Sequence, residues 1–291
     1  MKRFVVDANG RLRWPWQCVL LFLLYFVLAA FGEIFITGQV MAILPDDRET
    51  AYLIADVLIN TLIALALLLG FRWITGRGVA DMGLRLPDAD AAWKLAAGLG
   101  IGAAAIGLMA VLLSGMGDIF LRAGGQAGHL ALHVLYFVSV SVVEEVLTRG
   151  ALQHAIANAG HPWPALVIPS VFFGLLHLGN ASVTALAVVN TTLAGLLLAL
   201  YVHRDGSLWR AMGFHFTWNY FLSIVFGMTV SGADYARGQF FVAVLNRRTL
   251  FNGGAYGVEG GLLGTVVLLG LIGIEWLILW KGKGKAGLTP S

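Results

Sequence analysis

Apolar residues run along this chain in eight long stretches, and only short polar segments separate most of them. A helix needs about 20 apolar residues to cross the hydrocarbon core of a bilayer, and each stretch comes close to that length or exceeds it. The pattern therefore predicts an all-α bundle of eight transmembrane helices, with residues 1–291 forming one transmembrane domain. The predicted spans are Gln17–Met41, Ala51–Phe71, Ala92–Met116, His129–Ala157, Trp163–Gly179, Thr184–His203, Leu208–Val230 and Gly261–Lys281.

The composition agrees with an integral membrane protein and excludes several soluble classes. Hydrophobic residues make up 58% of the 291 residues and charged residues only 12%, whereas soluble domains carry about a quarter charged residues. Such a chain cannot cover a water-facing surface, which excludes a cytosolic globular enzyme, a disordered chain and a nucleic-acid binder. The single cysteine, Cys18, excludes an internal disulfide framework and a cysteine-based metal cluster.

Basic residues predict the orientation of the bundle. With both termini in the cytoplasm, the inner segments hold Lys2, Arg3, Arg11, Arg13, Arg72, Arg77, Arg85, Lys94, Arg204, Arg210, Lys281, Lys283 and Lys285, and the outer segments hold Arg48, Arg122, Arg237, Arg247 and Arg248. That is 13 against 5, and Arg149 inside a span completes the 19. Because cytoplasmic loops carry the excess of basic residues, both termini are expected to be cytoplasmic. The Ala-, Gly- and Leu-rich composition and the short loops favour a bacterial cytoplasmic membrane.

Polar residues inside the spans are concentrated in spans four, five and seven. They are Glu144, Glu145 and Arg149 in span four, His177 in span five, and His215 and Asn219 in span seven. A charged residue at mid-helix costs about 2.5–3.5 kcal/mol on insertion scales, so such residues are rare unless they are paired or functional. Counted from the cytoplasmic ends of their spans, Glu144, His177 and Asn219 lie at similar depths, roughly 16–21 Å. This convergence predicts a buried site.

Helix geometry places the two adjacent glutamates on different faces of span four. Glu145 and Arg149 are four residues apart and can form an ion pair on one helix face, whereas Glu144 is rotated by about 100°. A carboxylate beside a neutral histidine can hold and deprotonate a water molecule. A second histidine and a side-chain amide can donate hydrogen bonds to a developing oxyanion. The set therefore favours general-base hydrolysis, with one glutamate as base and the other as a salt-bridged anchor.

A metal site is the competing interpretation of the same atoms. Glu144, His177 and His215 form a reasonable three-ligand set for zinc with an open fourth position. No H-E-x-x-H motif occurs, so the common zinc-binding helix is missing. Spacing alone does not decide between metal-free hydrolysis and a divalent metal such as zinc.

Three ordered motifs resemble those of a known protease family. They are Glu144-Glu145-x-x-x-Arg149, Phe173-x-x-x-His177 and His215-x-x-x-Asn219. This set resembles the CPBP family, which comprises the type 2 CAAX prenyl endopeptidases and the bacteriocin-processing Abi intramembrane proteases. The resemblance covers about a third of the chain, and it marks residues 129–226, spans four to seven, as a CPBP-like catalytic core.

The resemblance implies an eight-helix endopeptidase with its site in a cavity open to the cytoplasmic side. By the family pattern, Glu144 would activate water together with His177, while His215 and Asn219 would stabilise the oxyanion and the ion pair of span four would order the site. Members are classed as metalloproteases in some schemes and as metal-independent glutamate proteases in others. The substrate would be a peptide or a membrane-tethered protein.

Two other functions remain compatible with the sequence. The first is a non-catalytic membrane scaffold or bacteriocin-immunity protein on the same fold, which would tolerate loss of the motif residues. The second is an ion-coupled transporter, because midplane carboxylates also serve proton relays; the chain shows no internal repeat, which lowers this option. The sequence assigns no role to Glu33 in span one or to the Gly-rich segment 231–260.

Overall fold

The computed structural model describes residues 2–6, 10–124, 129–234 and 239–286. In this part of the chain, eight main helices form a bundle and two strands form a small antiparallel ribbon. The helices are α1 Trp14–Ile43, α2 Arg48–Thr75, α3 Ala89–Gly115, α4 Leu130–Asn158, α5 Pro162–Leu176, α6 Ala185–Asp205, α7 Trp209–Tyr220 and α8 Leu262–Ala286. The strands are β1 Ile119–Ala123 and β2 Phe241–Leu245. Short helical turns occupy Lys2–Val5, Val79–Met82, His177–Gly179, Gly254–Tyr256 and Val258–Gly260.

The predicted polytopic helical bundle is confirmed, and one span differs in length. Among the described residues, seven helices are long and apolar enough to cross a membrane. The exception is α7, which was expected to run from Leu208 to Val230 but ends with a π-helical turn at Val225. Gly227 adopts a left-handed conformation (φ 60°), which ends a helix readily because glycine has no Cβ. Hydropathy alone did not locate this stop.

Capping residues set the ends of several helices. Asp47, Asp88 and Thr184 precede α2, α3 and α6, and the side chain of each accepts a hydrogen bond from the backbone N–H three residues further on. Such caps satisfy an N–H group that the first helical turn leaves without a partner. α2 and α6 end at Gly76 and Gly206, both with positive φ, as is common at helix C-termini.

Three helices contain π-helical stretches beside polar residues. These stretches are Glu33–Thr37 in α1, Val146–Gln153 in α4 and Phe221–Val225 at the end of α7. In α4 the stretch begins directly after Glu145, and in α7 it begins two residues after Asn219. A π-helical turn widens the helix locally and is frequent at functional sites. Two of the three stretches therefore adjoin the motif residues.

Small residues hold α7 tightly against α3. A Cβ atom added at Gly98 would lie 2.2 Å from the carbonyl oxygen of Arg210, and one at Gly102 would lie 2.3 Å from Oγ1 of Thr217. Only glycine permits so close an approach of two helices, which is a common device in membrane bundles. This contact fixes the helix that carries His215.

The connections between helices form two ends of the bundle. We use "loop face" for the end that holds segments 116–124, 180–184, 226–234 and 239–261, and "terminal face" for the end that holds segments 76–88, 159–161 and 206–208. On the loop face, β1 pairs with β2 so that Ile119 lies opposite Leu245. No strand was expected from the sequence, and the ribbon joins two loops that are far apart along the chain.

A buried carboxylate stabilises the loop face. The Asp118 side chain is fully buried; Nε of Arg247 donates to its Oδ1 at 2.7 Å, and Nδ2 of Asn252 donates to its Oδ2 at 3.2 Å. The hydroxyl of Thr249 donates to the same Oδ2. This hydrogen bond from Thr249 and the guanidinium of Arg247 hold the pKa of Asp118 below its ordinary value, because both favour the charged form.

Candidate active site

A cavity of about 430 Å³ lies between the middle of the bundle and the loop face. Four of the predicted site residues line it: Glu144 on α4, His177 after α5, and His215 and Asn219 on α7. Their helices are far apart in the sequence, and the fold brings all four side chains to one space. The cavity is therefore the candidate active site.

The two adjacent glutamates occupy different environments. The Glu145 side chain is fully buried, and its Oε1 accepts a hydrogen bond from Nη1 of Arg149 at 3.0 Å. Nδ1 of His215 lies 3.0 Å from the same oxygen; since an ionised carboxylate only accepts, Nδ1 is the donor. The Glu144 side chain keeps 27% of its surface exposed and faces the cavity. Glu145 is thus held in a buried ion pair, whereas the carboxylate of Glu144 is exposed to the cavity.

Arg149 joins three helices behind the cavity wall. Its side chain is fully buried on α4, and Nη2 donates to the carbonyl of Gly195 on α6 at 3.0 Å. Nη1 also donates to Oγ1 of Thr148 at 2.6 Å. The guanidinium carbon lies 4.4 Å from the ring centre of Phe173 on α5, within the range of a cation–π contact. The contacts of Arg149 with Gly195 and Phe173 therefore fix α4 relative to α6 and α5.

His215 lies between the two glutamates. Its Nε2 is 3.7 Å from Oε2 of Glu144, while its Nδ1 donates to Glu145. Two carboxylates and the one guanidinium of Arg149 leave one negative charge in the cluster. A doubly protonated His215 would balance that charge and could donate from Nε2 toward the cavity.

His177 is held by the end of its own helix. It directly follows the last residue of α5, and its Nδ1 donates to the carbonyl of Phe173 at 2.8 Å. In the neutral ring this leaves Nε2 as an acceptor. A Cβ atom at Gly174 would lie 2.1 Å from Oγ1 of Thr192 on α6, so the absence of a side chain at Gly174 lets the His177 end of α5 approach α6.

Asn219 offers an unengaged amide to the cavity. Its residue surface is 8% exposed, and within the described residues its side chain has no hydrogen-bond partner. Trp218, the preceding residue, is anchored instead: its indole Nε1 donates to Oε1 of Glu259 at 2.8 Å. The end of α7 is therefore fixed while the amide of Asn219 stays available.

The loop-face end of the cavity contains a carboxylate that sequence reasoning missed. Oε2 of Glu259 accepts hydrogen bonds from the hydroxyl of Ser231 at 3.0 Å and from its backbone N–H. Nδ2 of Asn180 donates to the carbonyl of Ser231 at 2.9 Å. Glu259, Ser231 and Asn180 all line the cavity. The only signal in the sequence is one acidic residue in a Gly-rich segment, which does not indicate a site.

Two other polar groups of the spans lie outside the cavity. Glu33 does not line the cavity; it is exposed on the π-helical stretch of α1, where Oγ1 of Thr37 donates to its carboxylate at 3.4 Å. Nδ2 of Asn60 on α2 donates to Oγ of Ser139 on α4 at 3.2 Å. These contacts belong to the packing of α1, α2 and α4 rather than to the site.

The zinc alternative was tested against the side-chain arrangement. In the part of the chain that the structure describes, no three His, Cys, Asp or Glu side chains are grouped to hold a metal ion. Nδ1 of His215 is engaged by Glu145, and Nδ1 of His177 is engaged by a backbone carbonyl, which leaves Nε2 of each ring for other partners. Metal-binding histidines commonly hold their second ring nitrogen in this way, so a chelation experiment distinguishes the two mechanisms.

Comparison with known families identifies the segment that carries the site. Residues 126–221 match the family model described as type II CAAX prenyl endopeptidase, Rce1-like. The match covers about a third of the chain and contains all seven motif residues from Glu144 to Asn219. Comparison with curated proteins and with solved structures finds no match. The resemblance drawn from the motifs is confirmed, because the matched segment 126–221 contains them.

Proposed function

We propose that this protein is an intramembrane endopeptidase in which Glu144 activates the attacking water. One observation carries the proposal: of two adjacent intramembrane glutamates, Glu145 is neutralised and buried, while Glu144 faces a cavity with His177, His215 and Asn219. The family match independently supports peptide-bond hydrolysis. The substrate is a peptide or a membrane-associated protein.

The first step is attack on the scissile carbonyl. Nε2 of His177 and the carboxylate of Glu144 each accept a hydrogen bond from one water molecule in the cavity. Glu144 takes a proton from this water, and the hydroxide oxygen forms a bond to the carbonyl carbon. General-base catalysis of this kind typically contributes a factor of about 10²–10⁴ in rate.

The oxyanion forms next to two donors. Nδ2 of Asn219 and Nε2 of a doubly protonated His215 donate to the negatively charged oxygen. Removal of one such donor typically lowers the rate by about 10²–10³. Glu145 and Arg149 keep His215 oriented, and Glu145 stabilises its charged form.

Collapse of the tetrahedral intermediate completes the reaction. The carbonyl re-forms, the bond from carbon to nitrogen breaks, and the proton held by Glu144 passes to the leaving nitrogen. One water is consumed, an amine and a carboxylic acid are released, and Glu144 returns to its ionised form. No redox partner is required.

The test compares matched glutamates in a peptide-cleavage assay. Purified wild type, Glu144→Gln and Glu33→Gln are incubated with a fluorogenic peptide library, each with and without a strong chelator. We expect Glu144→Gln to lose cleavage and Glu33→Gln to retain it, because only the first removes a carboxylate from the cavity. Full activity of Glu144→Gln would overturn the mechanism. Loss on chelation with recovery on added zinc would replace it with a metal mechanism.

A further inference from the structure

The cavity has an open end and a closed end. At the loop face its lining includes Ala181 and Ala233, which are both exposed. At the opposite end its lining is formed by Leu147, Thr148 and Leu198, which are at most 2% exposed. Among the described lining residues, Phe26 in the middle of α1 is also exposed, at 43%. The cavity is therefore open at the loop face and beside α1, and packed side chains close the way toward the terminal face.

The site residues lie toward the same open end. His177 follows the last residue of α5 on the loop-face side, and Asn219 lies one residue before the α-helical part of α7 ends. On α4, ten residues separate Thr148 from the terminal end of the helix at Asn158, which corresponds to roughly 15 Å of helix. The closed end thus lies well inside the bundle, far from the terminal face.

The basic residues determine which face is cytoplasmic. Among the described residues, the chain ends and the terminal face hold 13 Lys and Arg residues, and the loop-face side holds 4. Under the positive-inside rule the terminal face is cytoplasmic. The loop face is then extracytoplasmic, which is opposite to the cytoplasmic opening that the family resemblance implied.

We propose that the active-site cavity opens to the extracytoplasmic side, and that the substrate is an exported or membrane-anchored polypeptide whose cleaved segment lies on that side. The identity of the substrate as a peptide rests on the proposed function; the side of access rests on geometry and charge alone. Among the described residues that line the cavity, none is Lys or Arg. This lining, with the aromatic side chains of Tyr136 and Phe137, favours an uncharged internal segment of the substrate over a substrate C-terminus with its carboxylate.

Cysteine accessibility tests the side of access without any cleavage. Cys18 is the only cysteine of the chain, so Cys18→Ser provides a cysteine-free background. Ala181→Cys and Ala233→Cys place a thiol at the open end, and Ala159→Cys places a matched thiol on the terminal face, where Ala159 is exposed. Intact bacterial cells that express each variant are treated with a membrane-impermeant maleimide.

The expected pattern is labelling of Ala181→Cys and Ala233→Cys in intact cells, with Ala159→Cys labelled only after permeabilisation. The reverse pattern would overturn the proposal, since the cavity would then open to the cytoplasm. A bulky maleimide attached to Ala233→Cys should also block the labelling of a second thiol, Ser231→Cys, at the open end of the cavity. If both thiols are labelled freely, the entrance lies elsewhere.

Cleavage assays in oriented vesicles separate this inference from the proposed function. Right-side-out vesicles should cleave an added impermeant peptide, and inverted vesicles should cleave it at least tenfold more slowly. Faster cleavage by inverted vesicles would overturn the side of access while supporting the protease. If the thiols are labelled as expected but neither kind of vesicle cleaves the peptide, the result supports the side of access and counts against the protease.

Discussion

The two ends of the cavity are built from different kinds of contact. The closed end rests on buried charges carried by helices: Arg149 and Glu145 on α4 and His215 on α7. The open end rests on hydrogen bonds of loop residues, in which Glu259 accepts from Trp218 on α7 and from Ser231. The first set lies within the segment that matches the endopeptidase family, whereas Glu259 and Ser231 lie outside it.

This difference predicts how each end responds to change. A buried charge that loses its partner is strongly destabilising, so the closed end tolerates little substitution. A hydrogen bond near solvent contributes about 0.5–1.5 kcal/mol, so the open end can vary without unfolding the bundle. Chemistry and access are thus separable properties of one cavity. The following substitutions test that separation, in order of expected effect.

The largest effect is expected at the closed end. Arg149→Met should lower the free energy of unfolding by about 3–5 kcal/mol, because Glu145 is left buried without its cation. Unfolding of the purified protein in a denaturing detergent measures this change. The double variant Arg149→Met with Glu145→Gln should recover part of the loss. If the single and double variants are equally unstable, the charge of Glu145 is not the cause.

A large effect on rate, but not on stability, is expected at Asn219. Asn219→Ala should lower kcat by about 10²–10³-fold through loss of an oxyanion donor. Its KM and melting temperature should stay close to the wild-type values, because the side chain has no partner within the described residues. The adjacent Trp218→Phe is the comparison variant. A fall in melting temperature for Asn219→Ala that matches its loss of rate would assign the residue to packing instead.

A smaller effect is expected at the open end. Glu259→Gln keeps the size of the side chain but turns one acceptor of the Ser231 hydrogen bonds into a donor. We expect a loss of about 1–3 kcal/mol in stability from the unsatisfied contact, together with a higher KM and a nearly unchanged kcat. Peptide-cleavage kinetics measure the two constants. A selective loss of kcat would show that the open end of the cavity also orders the catalytic groups.

The smallest effect is a pH dependence at Asp118. Its folded-state pKa lies below the unfolded value of about 3.9, so its contribution to stability is present above that value and is lost as the pH falls through the folded pKa. The stability of the wild type should exceed that of Asp118→Asn by about 0.5–1.5 kcal/mol at pH 7, and the gap should shrink below pH 4. Thermal unfolding across this range measures the gap; a gap that is constant with pH would contradict the assignment.

The sequence predicted the polar residues within the helices well for a physical reason. Polar residues are so unfavourable in lipid that the few inside apolar helices must face one another or a cavity. Glu145 and Arg149 therefore pair as helical spacing required, and the structure brings His177 and His215 to the same cavity. The position of these residues within apolar stretches was sufficient to predict that they come together.

The open end lacked any such signal. The ribbon is formed by two short apolar segments that are far apart in the sequence, Ile119–Ala123 and Phe241–Leu245. The periodicity of the sequence therefore does not predict their pairing. The stop of α7 depends on the backbone of Gly227 rather than on hydropathy. Glu259 reaches the cavity only through the path of a long loop. Features that depend on tertiary contacts between loops were therefore not predictable from local pattern.

The ribbon on the loop face has a consequence for biogenesis. β1 leaves the ribosome well before β2, and Ile119 must find Leu245 after four intervening helices have entered the membrane. At about 5–20 residues per second, β1 remains unpaired for roughly 6–25 s. During this interval an apolar strand with free edges is open to chaperones and to neighbouring chains. Assembly of the finished cavity is thus a late event that follows insertion of α7.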